Sequence, residues 1–135
     1  MRIVLDTNCL IQILPQRSPY HLVWQSFENG DNTLCVTNEI IEEYTEILQR
    51  LIDEETAEIV VSTILNSPFV VFADPYFKFN LITSDPDDNK FVDCAIAAGA
   101  KYIVTNDRHY NILHVIEYPK VDVVSLDAFV KMMQL

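Results

Sequence analysis

Four acidic residues from well-separated parts of the chain, Asp6, Glu43, Asp93 and Asp107, stand where an α/β fold brings side chains together. Asp6 closes the apolar run Arg2-Ile-Val-Leu-Asp6, and Asp107 follows the run Tyr102-Ile-Val-Thr105. In an open parallel sheet ligands bind beyond the carboxyl ends of the strands, so acids at these two positions share one rim. Each alone reads as the N-cap of a following helix; two at the same edge point past capping. In the helical stretch Asn38 to Leu51, at about 100° per residue, Ile40, Ile41, Tyr44, Ile47, Leu48 and Leu51 define an apolar face. Glu43 borders that face, whereas Glu42 and Glu46 point away and Glu39 complements the helix dipole. From Phe91 to Ala98 every residue except Asp93 is apolar, which places one carboxylate in a packed helix that penalises an unpaired charge. Its bland alternative is a salt bridge to Lys90 at i−3. Asp88 heads the same helix as an N-cap or a further inward acid, and Asp85 and Asp87 belong to the turn before it.

Carboxylates gathered without lysines repel one another, and a divalent cation resolves the conflict. Mg²⁺ and Mn²⁺ take oxygen ligands and keep several waters, leaving room for phosphate oxygens and an attacking water. Such ions promote phosphodiester hydrolysis and make an acidic site attractive to a polyanion. Lys90, Arg108 and His109 lie beside these acids in sequence and are the cations expected to position phosphates.

The elements that must hold these side chains alternate along the chain. Strand-like runs recur at Arg2 to Asp6, Thr33 to Thr37, Phe69 to Phe72, Tyr102 to Thr105 and Val121 to Val124. Between them, helical periodicity marks Asn8 to Leu14, Pro19 to Glu28, Asn38 to Leu51, Asp53 to Leu65, Asp88 to Ala98, Arg108 to Leu113 and Leu126 to Met133. The alternation predicts an α/β sandwich around a mostly parallel sheet, because parallel strands need long crossovers and are covered on both faces. Asp74 to Asn89 is the longest loop. Phe72, Tyr76, Phe77 and Phe79 around it are read as core packing first and as a partner surface second.

Composition narrows the classes. The chain has 135 residues, half of them apolar, enough for one domain over residues 1–135 with its own core. Its 9 basic and 20 acidic residues give a net charge of −11, so phosphate attraction cannot come from the overall charge. The only glycines, Gly30 and Gly99, follow helical stretches as C-terminal caps do, and no glycine-rich nucleotide loop exists. Cys9, Cys35 and Cys94 lack metal or disulfide spacing and read as core hydrophobes in a reducing compartment; His21, His109 and His114 read as isolated polar residues. No apolar stretch is long enough to span a membrane and no signal peptide is recognisable, so a cytoplasmic location is expected.

The chain resembles the PIN-domain family, in the small form that includes VapC-type toxins. The resemblance is carried by Leu5-Asp6-Thr7-Asn8, by Glu43 within Glu42-Glu43-Tyr44, by Asp85-Pro-Asp-Asp-Asn-Lys-Phe-Val-Asp-Cys-Ala-Ile-Ala-Ala-Gly-Ala100, and by Tyr102-Ile-Val-Thr-Asn-Asp107. It implies a three-layer α/β/α sandwich and Mg²⁺- or Mn²⁺-dependent RNA cleavage, with Asp6, Glu43, Asp93 and Asp107 as the metal-binding acids and Asp88 as a rival to Asp93. Thr7 and Thr105 match polar positions beside the first and last acids, and Asn8 joins Lys90 and Arg108 as an expected substrate contact. A cognate antitoxin and homodimerisation are also implied.

Two other readings compete. A phosphoacceptor domain of the response-regulator or dehalogenase type also places an Asp after the first strand. Dehalogenase-like phosphatases want a second Asp where this chain has Asn8, and no receiver-type set is found. A binding module with the same fold and no activity is the other.

Overall fold

The computed structural model describes residues 1–134. In chain order it has β1 (Arg2–Leu5), α1 (Thr7–Ile13), α2 (His21–Glu28), β2 (Thr33–Val36), α3 (Asn38–Leu51), α4 (Glu54–Leu65), β3 (Val70–Phe72), α5 (Asn89–Ala98), β4 (Tyr102–Val104), β5 (Val123–Val124) and α6 (Leu126–Met133). Short 3₁₀ segments span Pro86–Asp88 and Arg108–Val115. The strands form one sheet in the order β3-β2-β1-β4-β5, and every neighbouring pair is parallel. Helices flank it, giving the expected three-layer α/β/α sandwich.

Local chemistry explains the boundaries. Thr37, Asp53 and Ser125 cap α3, α4 and α6 by accepting from the amides of Ile40, Thr56 and Ala128. Gly99 ends α5 with a φ of 63°, and Gly30 turns after α2 with a φ of 87°, conformations that cost other residues a steric clash. The helix expected over Arg108 to Leu113 is a 3₁₀ segment instead, started by Asp107.

The core holds the inward residues of β1, β2 and β4 together with Tyr44, Phe91, Tyr110 and Phe129. All three cysteines are buried and unpaired. Leu51, expected on the apolar face of α3, is exposed at the helix end. No helix among the described residues is long and apolar enough to cross a membrane.

The long loop departs from the core-packing expectation. Tyr76 is 92% and Phe77 74% exposed, and Phe72 and Phe79 also face solvent. What secures the loop is Asn89 at the start of α5. Its side chain accepts from the Ile82 amide at 2.9 Å and donates to the Ile82 carbonyl at 2.8 Å, while Ile82 itself is buried. A fully buried amide satisfied on both sides fixes the approach to Asp85.

Candidate active site at the carboxyl rim of the sheet

Register assembles the first pair of site residues. Leu5 of β1 lies opposite Val104 of β4, and the Asp6 amide donates to the Val104 carbonyl at 3.1 Å. Asp6 and Thr105 therefore emerge side by side, and the Thr105 hydroxyl donates to Asp6 Oδ2 at 2.8 Å. The same hydroxyl oxygen accepts from the Asp107 amide at 3.0 Å, so one threonine orients both acids.

Asp6 occupies the N-cap position of α1, and its side chain makes no capping bond. Asp88, at the N-cap position of α5, makes none either. Of Asp6, Asp88 and Asp107, Asp107 alone caps in the ordinary way, accepting from the His109 amide at 2.8 Å. Neither of the other two carboxylates thus makes the ordinary capping bond, and Asp6 accepts from Thr105 at the rim instead.

Glu43 arrives from α3, as its position on the helix predicts. The Tyr44 hydroxyl donates to the Leu5 carbonyl at 2.6 Å and pins this turn of α3 to the end of β1. Thr7 donates from its hydroxyl to Glu43 Oε2, and Lys90 Nζ lies 2.7 Å from Glu43 Oε1. Glu39, Glu42 and Glu46 are exposed.

The lysine overturns one expectation, because the acids do not gather without a compensating cation. Lys90 binds Glu43 and, at 3.1 Å, Asp87. Burial works against its charge, but the hydrogen bonds to Glu43 and Asp87 outweigh it and hold the ammonium above the usual lysine range. The bland alternative of a Lys90–Asp93 pair gives way to this bridge, and the ammonium expected to position phosphates is held by Glu43 and Asp87.

Asp93 lies elsewhere. Five residues from Asp88 on a helix is a rotation of about 140°, and Asp93 faces a cleft of 550 Å³ lined also by Glu39, Phe72, Lys78 and Asn89. Its Oδ1 accepts from the Phe79 amide at 3.2 Å. Burial raises its pKa, the Phe79 bond and Lys78 lower it, and Glu39 raises it. None of the other expected metal acids acts on it.

Asp6, Asp88 and Asp107 do act on one another. Burial raises the pKa of Asp6, offset by hydrogen bonds from the Thr105 hydroxyl and the Thr7 backbone and reinforced by Asp107 and Glu43. Asp88 is pushed up to about 6 by burial first, then by Asp85, Asp107 and Asp6, against a lowering influence of His109. Its Oδ2 is buried and has no hydrogen-bond partner. Asn8 and Arg108 are exposed beside this group, and Asn8 shares a 440 Å³ hollow with Asp6 and Asp107.

Sequence reasoning left three residues outside the acid group: His109, Asp85 and Tyr110. His109 is not isolated: its Nδ1 stands 3.1 Å from Asp107, 3.5 Å from Asp88 and 3.6 Å from Asp85. Asp85 joins this group while also accepting from the Asp87 amide, so it is more than a turn residue. Tyr110 is buried with its hydroxyl unpartnered, and burial together with Asp6, Asp88, Asp107 and Glu43 holds its phenol far above the ordinary range. Its place beneath the acids had no periodic signal in the polar segment around it.

A family model described as PIN domain matches residues 2–109. The chain belongs to the PIN-domain family. PIN domains are generally nucleases. This PIN domain is similar in fold to VapBC-1 from nontypeable Haemophilus influenzae, with a TM-score of 0.62 at 13% identity, covering 94% of this chain and 99% of that one. It is also similar to VapBC2 from Rickettsia felis bound to a DNA fragment from their promoter, with a TM-score of 0.60 at 18% identity over 93% and 98% of the two chains. The PIN domain endonuclease Utp24 aligns with a TM-score of 0.52 at 15% identity, over 92% and 84%. No curated protein matches this PIN domain by sequence.

Proposed function

We propose that this PIN domain is a metal-dependent endoribonuclease that hydrolyses RNA phosphodiester bonds and serves as the toxin of a toxin–antitoxin pair. The observation that carries the reading is the meeting of Asp6, Glu43, Asp88 and Asp107 at one rim, with a buried oxygen of Asp88 left without a partner. An uncompensated buried carboxylate oxygen costs about 1–3 kcal/mol or more, and a hard-oxygen donor set of this kind fits Mg²⁺ or Mn²⁺. Asp6, Glu43, Asp88 and Asp107 would hold the ion; Asp88 takes the place that sequence divided between Asp88 and Asp93.

When bound, the ion supplies an activated water and charge stabilisation for phosphodiester hydrolysis. The chain's own residues do the rest. Thr105 orients Asp6 through Oδ2 and Asp107 through its amide. Thr7 and Lys90 hold Glu43 from two sides, so its carboxylate keeps one orientation. Exposed Asn8 and Arg108 are the groups free to contact RNA phosphates. Support for a protein antitoxin comes from the VapBC structures and from FitAB, which is bound to an IR36 DNA fragment and similar in fold at 16% identity. The same reading makes the protein a cytoplasmic homodimer.

The test is cleavage of a defined RNA with Mg²⁺ or Mn²⁺ and with EDTA. Asp6→Asn should lower turnover by a factor on the order of 10² or more, and Glu42→Gln should leave it unchanged. RNA binding without metal-dependent cleavage by the wild type returns the chain to the silent-module reading.

A further inference from the structure

The 550 Å³ cleft that Asp93 faces opens beside the four-acid group. Thr37, which follows β2, and Phe72, which ends β3, both line it, so it lies on the same rim, one to two strands from β1. We propose that this cleft is a base-recognition pocket for a guanine of the RNA beside the scissile phosphate, with Asp93 and Lys78 reading the base edge and Phe72 stacking on its face. The inference rests on the nuclease reading for its substrate and deepens it, while the pocket itself lies outside the metal-binding acids.

Placement is the first argument. Neighbouring strands stand about 4.8 Å apart, which puts the cleft about 5–10 Å along the rim from the end of β1, within reach of an adjoining nucleotide. Lys90 joins the two regions, because it bridges to Glu43 and also lines the cleft with Asp87.

The second argument is the carboxylate. Asp93 is 6% exposed. Its Oδ1 accepts from the Phe79 amide at 3.2 Å, and its Oδ2 accepts from no donor among the described residues. A buried carboxylate left in this way favours a ligand that brings N–H donors to it. Of the four RNA bases, guanine alone carries two adjacent donors, N1–H and N2–H, on its pairing edge. Adenine and cytosine set a ring-nitrogen lone pair against the carboxylate, and uracil offers one N–H between two carbonyls.

Lys78 supplies the complement. It lines the cleft, and its charge acts on Asp93, opposing the effect of burial. A donor beside an acceptor matches guanine O6 beside N1–H. An arginine from a protein partner would also suit the carboxylate, but it would meet Lys78 as a like charge and offer it no acceptor.

The walls agree with a flat, neutral guest. Phe72 is the one aromatic side chain lining the cleft and is 48% exposed, a free face of the kind on which unpaired bases stack. Glu39, Asp74 and Asp87 also border the cleft and repel phosphates. The base therefore enters while its phosphates stay outside.

The experiment titrates the full chain in EDTA with guanosine, inosine and adenosine 5′-monophosphates, followed by amide chemical shifts. Guanosine monophosphate should bind about tenfold or more tighter than adenosine monophosphate and shift the Phe79 amide. Inosine monophosphate, which lacks the N2 amine, should fall between them. Asp93→Asn should erase the preference for guanine, and Phe72→Ala should weaken all three nucleotides alike. Equal affinities for guanosine and adenosine monophosphates in the wild type overturn the pocket, as does an undiminished guanine preference in Asp93→Asn. Tighter binding of N-acetyl-arginine amide than of guanosine monophosphate, lost in Asp93→Asn, overturns it in favour of a protein partner. RNA cleavage is scored separately with Mg²⁺ or Mn²⁺: guanine preference without metal-dependent cleavage sinks the nuclease reading alone, and cleavage without any guanine preference in binding sinks this pocket alone.

Discussion

The Thr105 hydroxyl donates to Asp6 Oδ2 at 2.8 Å, joining residues 99 positions apart across the carboxyl ends of β1 and β4. The same oxygen accepts from the Asp107 amide, so this one side chain sets the spacing of the first and last acids. Thr105 is buried, 4% exposed.

Thr105→Val keeps the shape and deletes both bonds. Leaving the Asp107 amide and Asp6 Oδ2 without this partner should cost about 1–3 kcal/mol, read as a lower midpoint in urea at unchanged slope. Thr105→Ser should recover most of the loss. Unchanged stability in Thr105→Val would show that the two bonds contribute nothing net.

Asp88 gives the metal-free protein a pH dependence of defined sign. Its folded pKa, about 6, lies above the ordinary 3.8. Between those values the folded chain binds more protons than the unfolded chain, so this contribution is full at low pH and is lost as pH rises through about 6. In EDTA, Asp88→Asn should therefore melt higher than wild type at pH 7, by at most about 3 kcal/mol. The difference should vanish below about pH 4. A variant less stable than wild type at pH 7 would mean that Asp88 is held by a favourable charge partner.

The comparison of Asp88→Asn with Asp93→Asn separates the two acids of α5. Calorimetric Mg²⁺ affinity should fall about tenfold or more in the first and stay unchanged in the second. The reverse order would place the ion in the cleft beneath the long loop.

Lys90 and Glu43 form a largely buried ion pair, at 2.7 Å with side-chain exposures of 11% and 22%. Lys90→Met should destabilise by about 3 kcal/mol, because it strands the carboxylate. Adding Glu43→Gln should restore much of that loss, a coupling that a double-mutant cycle measures directly. Additive losses would show that the pair is not coupled.

Gly30 tests the turn after α2. Its φ is 87°, and a Cβ there would stand 2.7 Å from the Phe69 ring. Gly30→Ala should lower stability by about 1–3 kcal/mol, through backbone strain and displacement of the ring. A companion Phe69→Leu substitution should relieve the steric part only.

The order of strands and helices was readable from the chain, because periodicity is a local property and each apolar run here is bounded by polar residues or caps. The places of Asp6 and Asp107 after strand runs, and of Glu43 at the border of an apolar helix face, were readable for the same reason. The choice between Asp88 and Asp93 was not. α5 is apolar on most of its surface, so no face is marked by contrast, and only its packing across β1, β2 and β4 decides which acid meets the rim. The bridge from Lys90 to Glu43 joins α5 to α3, and the approach of His109 to Asp85 and Asp88 joins the 3₁₀ segment after β4 to the turn before α5. Such contacts depend on how separate elements are placed, and no spacing along the chain encodes them. The exposure of Tyr76 and Phe77 was hidden likewise, because a loop has no period from which burial can be read. The chain alone determined which groups were available and the elements they sit on; tertiary packing decided which of them meet, since a charge is matched by its neighbours in space.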